Sequence, residues 1–219
     1  SDPVTARALR RNLASDADEF PRDVVELMDY FSDRPRQSVR AVPGTGLKVP
    51  IWILGSSLFG AQLAAHLGLP FAFASHFAPA QMMQALDLYR TTFKPSAELQ
   101  KPYTMLGFNV FSADTDGEAQ ILATSMPRAL VNLRRGRPAR LPPPLPGYAE
   151  QVGPAERAML QSVMSCSAIG TPETVRAVVL DFVARTGADE LMITSQVFDH
   201  QARKRSYTLT ANALLGSCA

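Results

Sequence analysis

One stretch of the sequence predicts a strand, a helix and a second strand: Val49-Pro-Ile-Trp-Ile-Leu-Gly-Ser-Ser-Leu-Phe-Gly-Ala-Gln-Leu-Ala-Ala-His-Leu-Gly-Leu-Pro-Phe-Ala-Phe-Ala-Ser-His-Phe77. The apolar run 49–54 has the length of a strand that is buried on both faces. Helical spacing of apolar residues follows over 61–67 and ends at Gly68, a usual residue just beyond a helix C-terminus. A second apolar run, 71–74, ends in Ser75-His76. This order is the compact βαβ unit of a parallel sheet.

The turn between the first strand and the helix is the first candidate site. It reads Gly55-Ser56-Ser57, and the backbone N–H groups of 56–60 are the unpaired donors of the helix's first turn, with the positive end of the helix dipole behind them. Two serines and two glycines let a phosphate approach closely, which predicts an anion or phosphate site. The alternative is that Ser56 or Ser57 only caps the helix.

Two other phosphate or nucleophile motifs are excluded at this turn. A Walker loop needs Gly-Lys-Ser or Gly-Lys-Thr, and neither follows. A nucleophile elbow needs the closing glycine of G-x-S-x-G, which Gly55-Ser56-Ser57-Leu58-Phe59 lacks.

The same stretch and two later ones resemble the bacterial-luciferase-like flavin monooxygenases. The matching segments, in the family's order and spacing, are Pro50-Ile-Trp-Ile-Leu-Gly-Ser-Ser-Leu-Phe-Gly-Ala-Gln-Leu-Ala-Ala, Leu69-Pro-Phe-Ala-Phe-Ala-Ser-His-Phe-Ala-Pro79, Gly170-Thr-Pro-Glu-Thr-Val175, and Ala188-Asp-Glu-Leu-Met-Ile-Thr-Ser195 running into Asp199-His200 and Arg205-Ser206-Tyr207. The resemblance implies a TIM-type (β/α)₈ barrel of the α/β class. It also implies that reduced FMN, supplied by a separate flavin reductase, is used with dioxygen to oxidise a small, aldehyde-like organic substrate.

The composition is that of an ordinary soluble globular chain and implies no polyanionic partner. The chain has 219 residues, is 46% hydrophobic and carries a formal net charge of +2, which predicts one domain or at most two and no nucleic-acid partner. The resemblance implies a single luciferase-like α/β domain over 1–219. The two cysteines, Cys166 and Cys218, have no metal-ligand spacing and suit a reducing cytoplasm. No apolar stretch is long enough for a membrane span, and no N-terminal signal precedes the first helix.

The chain is predicted to cover about the second half of a barrel. In the resembled proteins a segment like 2–10 follows the fourth barrel strand. Four parallel strands with flanking helices are predicted, at 49–54, 71–75, about 103–111 and 189–195. Four βα units cannot close an eight-stranded barrel and would leave open strand edges. The expectation is therefore either a fragment of a longer chain or a shortened member that forms a homodimer or joins a completing subunit.

Helix signals and one irregular segment complete the chain. Helices are predicted to begin at Pro3 and Pro21, to span 80–93, to begin at Asp114 and at Thr171, and to span 206–215. The segment 127–165 contains the arginine run 134–140 and the proline run 142–146. Because no aromatic residues alternate with these arginines, a mobile lid or insertion is favoured over a nucleic-acid arm. Arg134 and Arg135 are possible contacts to the substrate or the flavin phosphate.

The predicted cofactor site combines two segments. His76 follows the carboxyl end of a strand, where barrel sites are built, and the resemblance implies that Ser75 and His76 line the isoalloxazine ring while Ser56, Ser57 and Gly60 contact the phosphate. The full predicted set is Gly55, Ser56, Ser57, Leu58, Phe59, Gly60, Ser75 and His76. Luciferase has an acidic residue at the place of Ser56, and the alkanesulfonate monooxygenases have an aromatic residue at the place of His76.

No catalytic residue and no metal site are predicted. The alkanesulfonate enzymes use an Arg and a His where this chain has Gly107 and Asn109, so that chemistry is not carried over. His66, His76 and His200 have no metal-ligand spacing, and Asp199-His200 is either an acid–base pair or a polar loop that fixes the last helix. Because the flavin carries the chemistry and the protein keeps it dry, no triad is expected.

Two alternatives to a monooxygenase remain open. One is a non-catalytic flavin-binding protein or inactive subunit, for which the shortened non-fluorescent flavoproteins of luminous bacteria are a precedent within the resembled family. The other is an oxidoreductase that binds the deazaflavin F420, or a barrel enzyme that binds a sugar phosphate, at Ser56-Ser57.

Overall fold

The computed structural model describes residues 19–33, 36 and 39–216. The chain divides into two compact units, Ser1–Ile51 and Trp52–Ala219. In the first unit, helix α1 (Phe20–Phe31) has a proline in its first turn, as predicted, and is followed by a loop in which Lys48 and Asp33 form an ion pair of 3.1 Å. The helix predicted from Pro3 lies outside the described residues.

The second unit is a parallel sheet with flanking helices. Its strands are β1 (Ile53–Gly55), β2 (Phe71–Phe73), β3 (Thr104–Ser112), β4 (Ser167–Gly170) and β5 (Glu190–Thr194). Its helices are α2 (Leu58–Leu67), α3 (Met82–Thr92), α4 (Asp116–Ala123), α5 (Ser125–Arg134), α6 (Pro154–Val163), α7 (Pro172–Thr186) and α8 (His200–Leu215). Every pairing between these strands is parallel, which confirms the predicted fold class.

The strand β3 is the centre of the sheet and is paired along both edges. Leu106 pairs with both Phe73 of β2 and Leu191 of β5, and Asn109 pairs with both Ser167 of β4 and Thr194 of β5. Since a residue pairs with only one strand on each edge, β5 occupies one edge while β2 and β4 lie in line on the other. A short window of the β3 edge, around residue 107, lies between β2 and β4.

The strand prediction needs two corrections. The described sheet has five strands, whereas four were predicted. The strand that was missed is β4, which is only four residues long and whose sequence, Ser-Ala-Ile-Gly, has neither an apolar run nor clear alternation. The strand predicted at 49–54 is limited to Ile53–Gly55. Its partner among the described strands, β2, begins directly after Pro70, which has no N–H to extend the ladder.

The core lies between one face of the sheet and the helices. The rings of Phe108 in β3 and Phe182 in α7 are 4.6 Å apart, and both side chains are buried. The opposite face is open within the described chain: Leu54 and Met192, which the register places on that face, are 69% and 55% exposed. The sheet therefore has one covered face and one face with apolar side chains that the described residues leave uncovered.

The segment 127–165 contains most of α5 and all of α6. Val131, Val152 and Leu160 form a small cluster of buried side chains within it. The guanidinium of Arg135 donates to both carboxylate oxygens of Glu156, at 2.8 and 3.0 Å. Arg135 is thus engaged inside the segment, and movement of the segment as a lid stays a prediction.

The last helix begins earlier than predicted. α8 starts at His200 instead of Ser206, because the Asp199 carboxylate accepts a hydrogen bond of 2.8 Å from the Ala202 N–H and caps the first turn. His200 is bonded to Arg203 one turn on. Of the two interpretations of Asp199-His200, the one that fixes the final helix is the one observed.

Candidate functional site

The two predicted segments of the site meet at one edge of the sheet. Because all five strands are parallel, their carboxyl ends share an edge, and β1 and β2 are neighbours there. The Ala74 N–H, one residue beyond β2, donates to the Gly55 carbonyl at 2.9 Å. The Gly55–Gly60 turn and Ser75-His76 therefore lie side by side, at the edge where parallel α/β sheets bind ligands.

Two of the predicted glycines serve close packing. A Cβ added to Gly60 would lie 3.3 Å from the Gly55 Cα and 3.4 Å from the Phe71 ring. The first turn of α2 is therefore in direct contact with the end of β1. This contact brings the N–H groups of that turn to the sheet edge.

The first turn of α2 has no side-chain cap. Ser57 stands at the N-cap position with extended backbone (φ −146°, ψ 173°), but its hydroxyl makes no capping hydrogen bond, and Ser56 and Ser57 are exposed. The capping role left open for these serines is therefore not performed by the Ser57 side chain. The N–H groups of Leu58, Phe59 and Gly60, with two free hydroxyls beside them, form an arrangement that can bind an anion.

Three other helices of the same unit that follow a strand are capped by their own residues. Thr115 caps α4, Thr171 caps α7 and Asp199 caps α8, each by accepting from a backbone N–H of the first turn. The Asp116 carboxylate also accepts from the Thr171 N–H at 2.8 Å, so the N-terminus of α7 already holds an anion. The helices α3, α5 and α6 also lack a side-chain cap. What distinguishes α2 is that its uncapped first turn begins three residues after the carboxyl end of β1.

The Phe59 side chain points away from this turn. It lines a groove of about 460 Å³ between α2 and α3, together with Gln62, Leu63, His66, Leu88, Thr92 and Lys94. The only part of Phe59 that the turn can use is its backbone N–H. Leu58 is half-buried.

Ser75 and His76 occupy the window of the β3 edge between β2 and β4. Ser75 is fully buried and its hydroxyl donates to the Gly107 carbonyl at 2.7 Å. The Asn109 Nδ2 donates to the His76 carbonyl at 2.6 Å, and the His76 ring meets the Phe77 ring edge to face at 5.4 Å. Ser75 thus holds the backbone, and His76 is the side chain that faces the site.

Gly107 and Asn109 are site residues that sequence reasoning did not include. A Cβ on Gly107 would lie 2.1 Å from His76 Nδ1, so the imidazole ring needs a glycine beneath it. Asn109 also accepts a hydrogen bond of 2.8 Å from the Thr194 hydroxyl and so links β3, β5 and the segment after β2. An isolated glycine inside a strand is a signal of close approach and could have identified Gly107.

Burial lowers the pKa of His76, and desolvation is the cause. Nδ1 is buried and has no hydrogen-bond partner among the described residues. Protonation of the ring would place a second N–H in this environment without an acceptor, which costs free energy. His76 is therefore neutral at pH 7.

The stability of the protein is expected to depend on pH through His76. The lowered pKa means that the unfolded chain, whose histidine titrates near about 6.5, binds the proton first as pH falls. The contribution of His76 to the free energy of unfolding is therefore fully present above that pH and is lost as pH falls through the folded pKa. Urea unfolding of wild type and His76→Gln at several pH values between about 5 and 8 measures it.

The expected result is that His76→Gln flattens this part of the pH profile. His66→Gln, at an exposed histidine on α2, is the matched control for the loss of one imidazole. Equal profiles for wild type and His76→Gln would contradict the assignment.

Metal and thiol chemistry find no support in the described residues. Within 19–33, 36 and 39–216 no group of three or more His, Cys, Asp or Glu side chains is placed to hold a metal ion. Cys166 is buried next to Met82, and burial raises the pKa of its thiol, so it is not an activated nucleophile. None of the described helices is both long and apolar enough to cross a membrane.

Comparisons with known proteins agree on one family. The model of the luciferase-like monooxygenase family matches residues 6–190. A luciferase-like monooxygenase of Escherichia coli K12 is 51% identical over 210 residues, which are 95% of this chain and 63% of that protein. The uncharacterized protein YvbT of Bacillus subtilis is 48% identical over 214 residues, which are 97% of this chain and 63% of that protein.

A solved structure agrees with the sequence matches. The crystal structure of apo-MsnO8 is 31% identical, superposes with a TM-score of 0.83, and corresponds to 97% of this chain and 64% of its own. The chain thus spans a little under two thirds of the length of the relatives it matches. The predicted resemblance and the predicted barrel family are confirmed.

Proposed function

The chain belongs to the luciferase-like monooxygenase family, and on that premise we propose that the protein carrying it is an FMN-dependent monooxygenase. The single observation that carries the proposal is the uncapped first turn of α2 beside His76, at the carboxyl edge of the sheet. A helix N-terminus with free N–H groups and hydroxyls suits the phosphate of FMN. The neighbouring His76 and Phe77 rings suit a flat aromatic ligand.

In this proposal, different residues bind the two ends of the flavin. The N–H groups of Leu58, Phe59 and Gly60, with the hydroxyls of Ser56 and Ser57, hold the phosphate. The isoalloxazine ring lies near His76 and Phe77, against the open sheet face that carries Leu54 and Met192. Apolar side chains on that face exclude water from the ring.

The chemistry makes few demands on this chain's own side chains. When bound, reduced FMN supplies the electrons with which dioxygen oxidises the substrate. The chain positions the ring, keeps it dry and offers a neutral imidazole beside it.

The remaining functional assignments are part of the same proposal. A separate flavin reductase supplies reduced FMN, and the substrate is a small, aldehyde-like organic molecule. Further strands of the same protein or of a homodimer partner cover the open sheet face. The buried free thiol of Cys166 suits the cytoplasm as the site of the reaction.

Ligand binding to the complete protein tests the proposal. FMN, riboflavin and F420 are titrated in parallel, with flavin fluorescence or absorbance as the readout. Because hydrogen bonds to a charged phosphate contribute about 1.5 to 3 kcal/mol, FMN is expected to bind at least about 10-fold tighter than riboflavin.

Three other results would replace the proposal. Equal affinity for FMN and riboflavin would contradict phosphate binding at α2. Tight binding of F420 alone would establish the deazaflavin alternative. FMN binding without oxygen-dependent oxidation of aldehydes, in the presence of a flavin reductase, would establish the non-catalytic alternative.

A further inference from the structure

The position of the His76 ring over Gly107 determines which ring nitrogen faces the protein. A Cβ on Gly107 would lie 2.1 Å from Nδ1, 3.0 Å from Cγ and 3.1 Å from Cε1. Nδ1 is therefore within about 3.6 Å of the Gly107 Cα, given a carbon–carbon bond of about 1.5 Å. That distance leaves no room for a water molecule between them, so on this side Nδ1 has neither a partner among the described residues nor space for a solvent partner.

The orphaned nitrogen determines the tautomer. A neutral imidazole carries one N–H and one bare nitrogen. Among buried groups, an N–H without an acceptor is rarer than an under-satisfied acceptor. Nδ1 is consequently the bare nitrogen, and the proton is on Nε2, which is bonded to none of the described residues and is not among the buried unpartnered atoms.

The backbone beneath the ring is fixed by two further hydrogen bonds. The Asn109 Nδ2 holds the His76 carbonyl at 2.6 Å, and the Ser75 hydroxyl holds the Gly107 carbonyl at 2.7 Å. The Thr194 hydroxyl donates to Asn109 Oδ1 at 2.8 Å, which orients the amide so that its NH₂ faces His76. The imidazole therefore has a fixed position as well as a fixed tautomer.

We propose that His76 is a preorganised hydrogen-bond donor that presents Nε2–H to a carbonyl oxygen of the bound ligand, and that Gly107 and Asn109 are its positioning residues. The inference rests on the proposed function, because both the flavin ring and an aldehyde-like substrate carry such an oxygen. A donor that needs no reorganisation stabilises negative charge on that oxygen better than solvent does. The tautomer of His76, unlike the donor role, does not depend on a bound ligand.

The tautomer is tested first, without any ligand. Long-range ¹H–¹⁵N NMR spectra of the complete protein distinguish a bare ring nitrogen from a protonated one. At pH 7, Nδ1 of His76 is expected to be bare and Nε2 protonated. An Nδ1–H tautomer or an imidazolium at that pH would overturn the inference.

Two substitutions test the positioning residues by the same signal. Gly107→Ala places a methyl group where Nδ1 now lies, and Asn109→Leu removes the donor to the His76 carbonyl. Both are expected to shift the His76 ring resonances and to mix the tautomers. Gly117→Ala is the matched control, because a Cβ at Gly117 meets nothing within 4 Å. Unchanged His76 resonances in Gly107→Ala would contradict the position of the imidazole ring over Gly107.

The donor role is tested by binding. His76→Gln keeps an N–H donor near the position of Nε2, whereas His76→Phe keeps the ring shape and loses the donor. Since one hydrogen bond is lost, His76→Phe is expected to weaken FMN binding about 5- to 10-fold, while His76→Gln stays within about 3-fold of wild type.

The binding results also identify the source of the carbonyl oxygen. If FMN affinity is unchanged in His76→Phe but the KM for decanal rises about 5- to 10-fold, the oxygen belongs to the substrate. If neither changes, the donor role is overturned. Failure of wild type to bind FMN would overturn the proposed function instead, and the NMR result would still decide the tautomer.

Discussion

Ser57→Asp is expected to stabilise the fold and to weaken FMN binding strongly. The introduced carboxylate would stand at the N-cap of α2, where Ser57 makes no capping bond, and would accept from the free N–H groups of the first turn. Capping and the helix dipole together are expected to raise the free energy of unfolding by about 0.5 to 1 kcal/mol. The same carboxylate would occupy the phosphate position and repel the phosphate charge, so FMN affinity is expected to fall at least about 100-fold.

This prediction is specific because the free energy of unfolding is expected to rise while the affinity for FMN falls. Riboflavin, which has no phosphate, is expected to bind Ser57→Asp within about 3-fold of wild type. Ser57→Asn is the matched control, because asparagine caps a helix equally well but carries no charge, and it is expected to lose far less FMN affinity. Urea unfolding measures stability and fluorescence titration measures affinity. Wild-type FMN affinity in Ser57→Asp would show that the phosphate does not bind at α2.

Phe108→Ala is expected to cause a large loss in the free energy of unfolding. The ring of Phe108 is 1% exposed and lies 4.6 Å from the ring of Phe182, so it joins the central strand to α7. Its truncation removes buried apolar surface and leaves a cavity between a strand that is paired on both edges and its helix. Losses of about 3 to 5 kcal/mol are typical of such sites. Urea unfolding of the complete protein measures the change.

Phe198→Ala is the matched control, because it makes the same substitution at an exposed phenylalanine. Phe198 is 52% exposed, so its truncation is expected to cost less than about 1 kcal/mol. If the two variants were equally stable, the packing of β3 against α7 would not be the core contact described above. A lower slope of the free energy of unfolding against urea concentration in Phe108→Ala would indicate a change in the unfolded or native ensemble instead of a cavity.

The β1–α2–β2 unit could be predicted because its signals are local. The apolar run before Gly55, the helical spacing before Gly68 and the break at Pro70 each lie within a few residues of the structure they produce. Gly68 ends α2 in the left-handed conformation (φ +63°), as expected of a glycine at this position. The turn that we propose as the phosphate site follows β1 directly, and its place at the carboxyl end of a parallel strand could be predicted from the same local signals.

The other half of the site could not be predicted in the same way. Gly107 and Asn109 reach His76 across more than 30 residues of sequence, and their roles depend on the register of β3 against the segment after β2. Likewise β4 forms because β2 leaves the carboxyl half of one β3 edge unpaired, and its own four residues carry little strand signal. Both features are tertiary, and no local pattern specifies them.

The shared edge of β3 has a consequence for how such chains can diverge. Because β4 lies in line with β2 on the same edge of β3, the connection from β3 to β5 contains a strand that pairs with β3 without displacing β2 or β5. Its length and sequence can change while β5 keeps its place on the opposite edge. Insertion and deletion in this one connection can therefore change the part of the chain beside the carboxyl end of β3 while the pairing of β3 with β2 and β5 is kept.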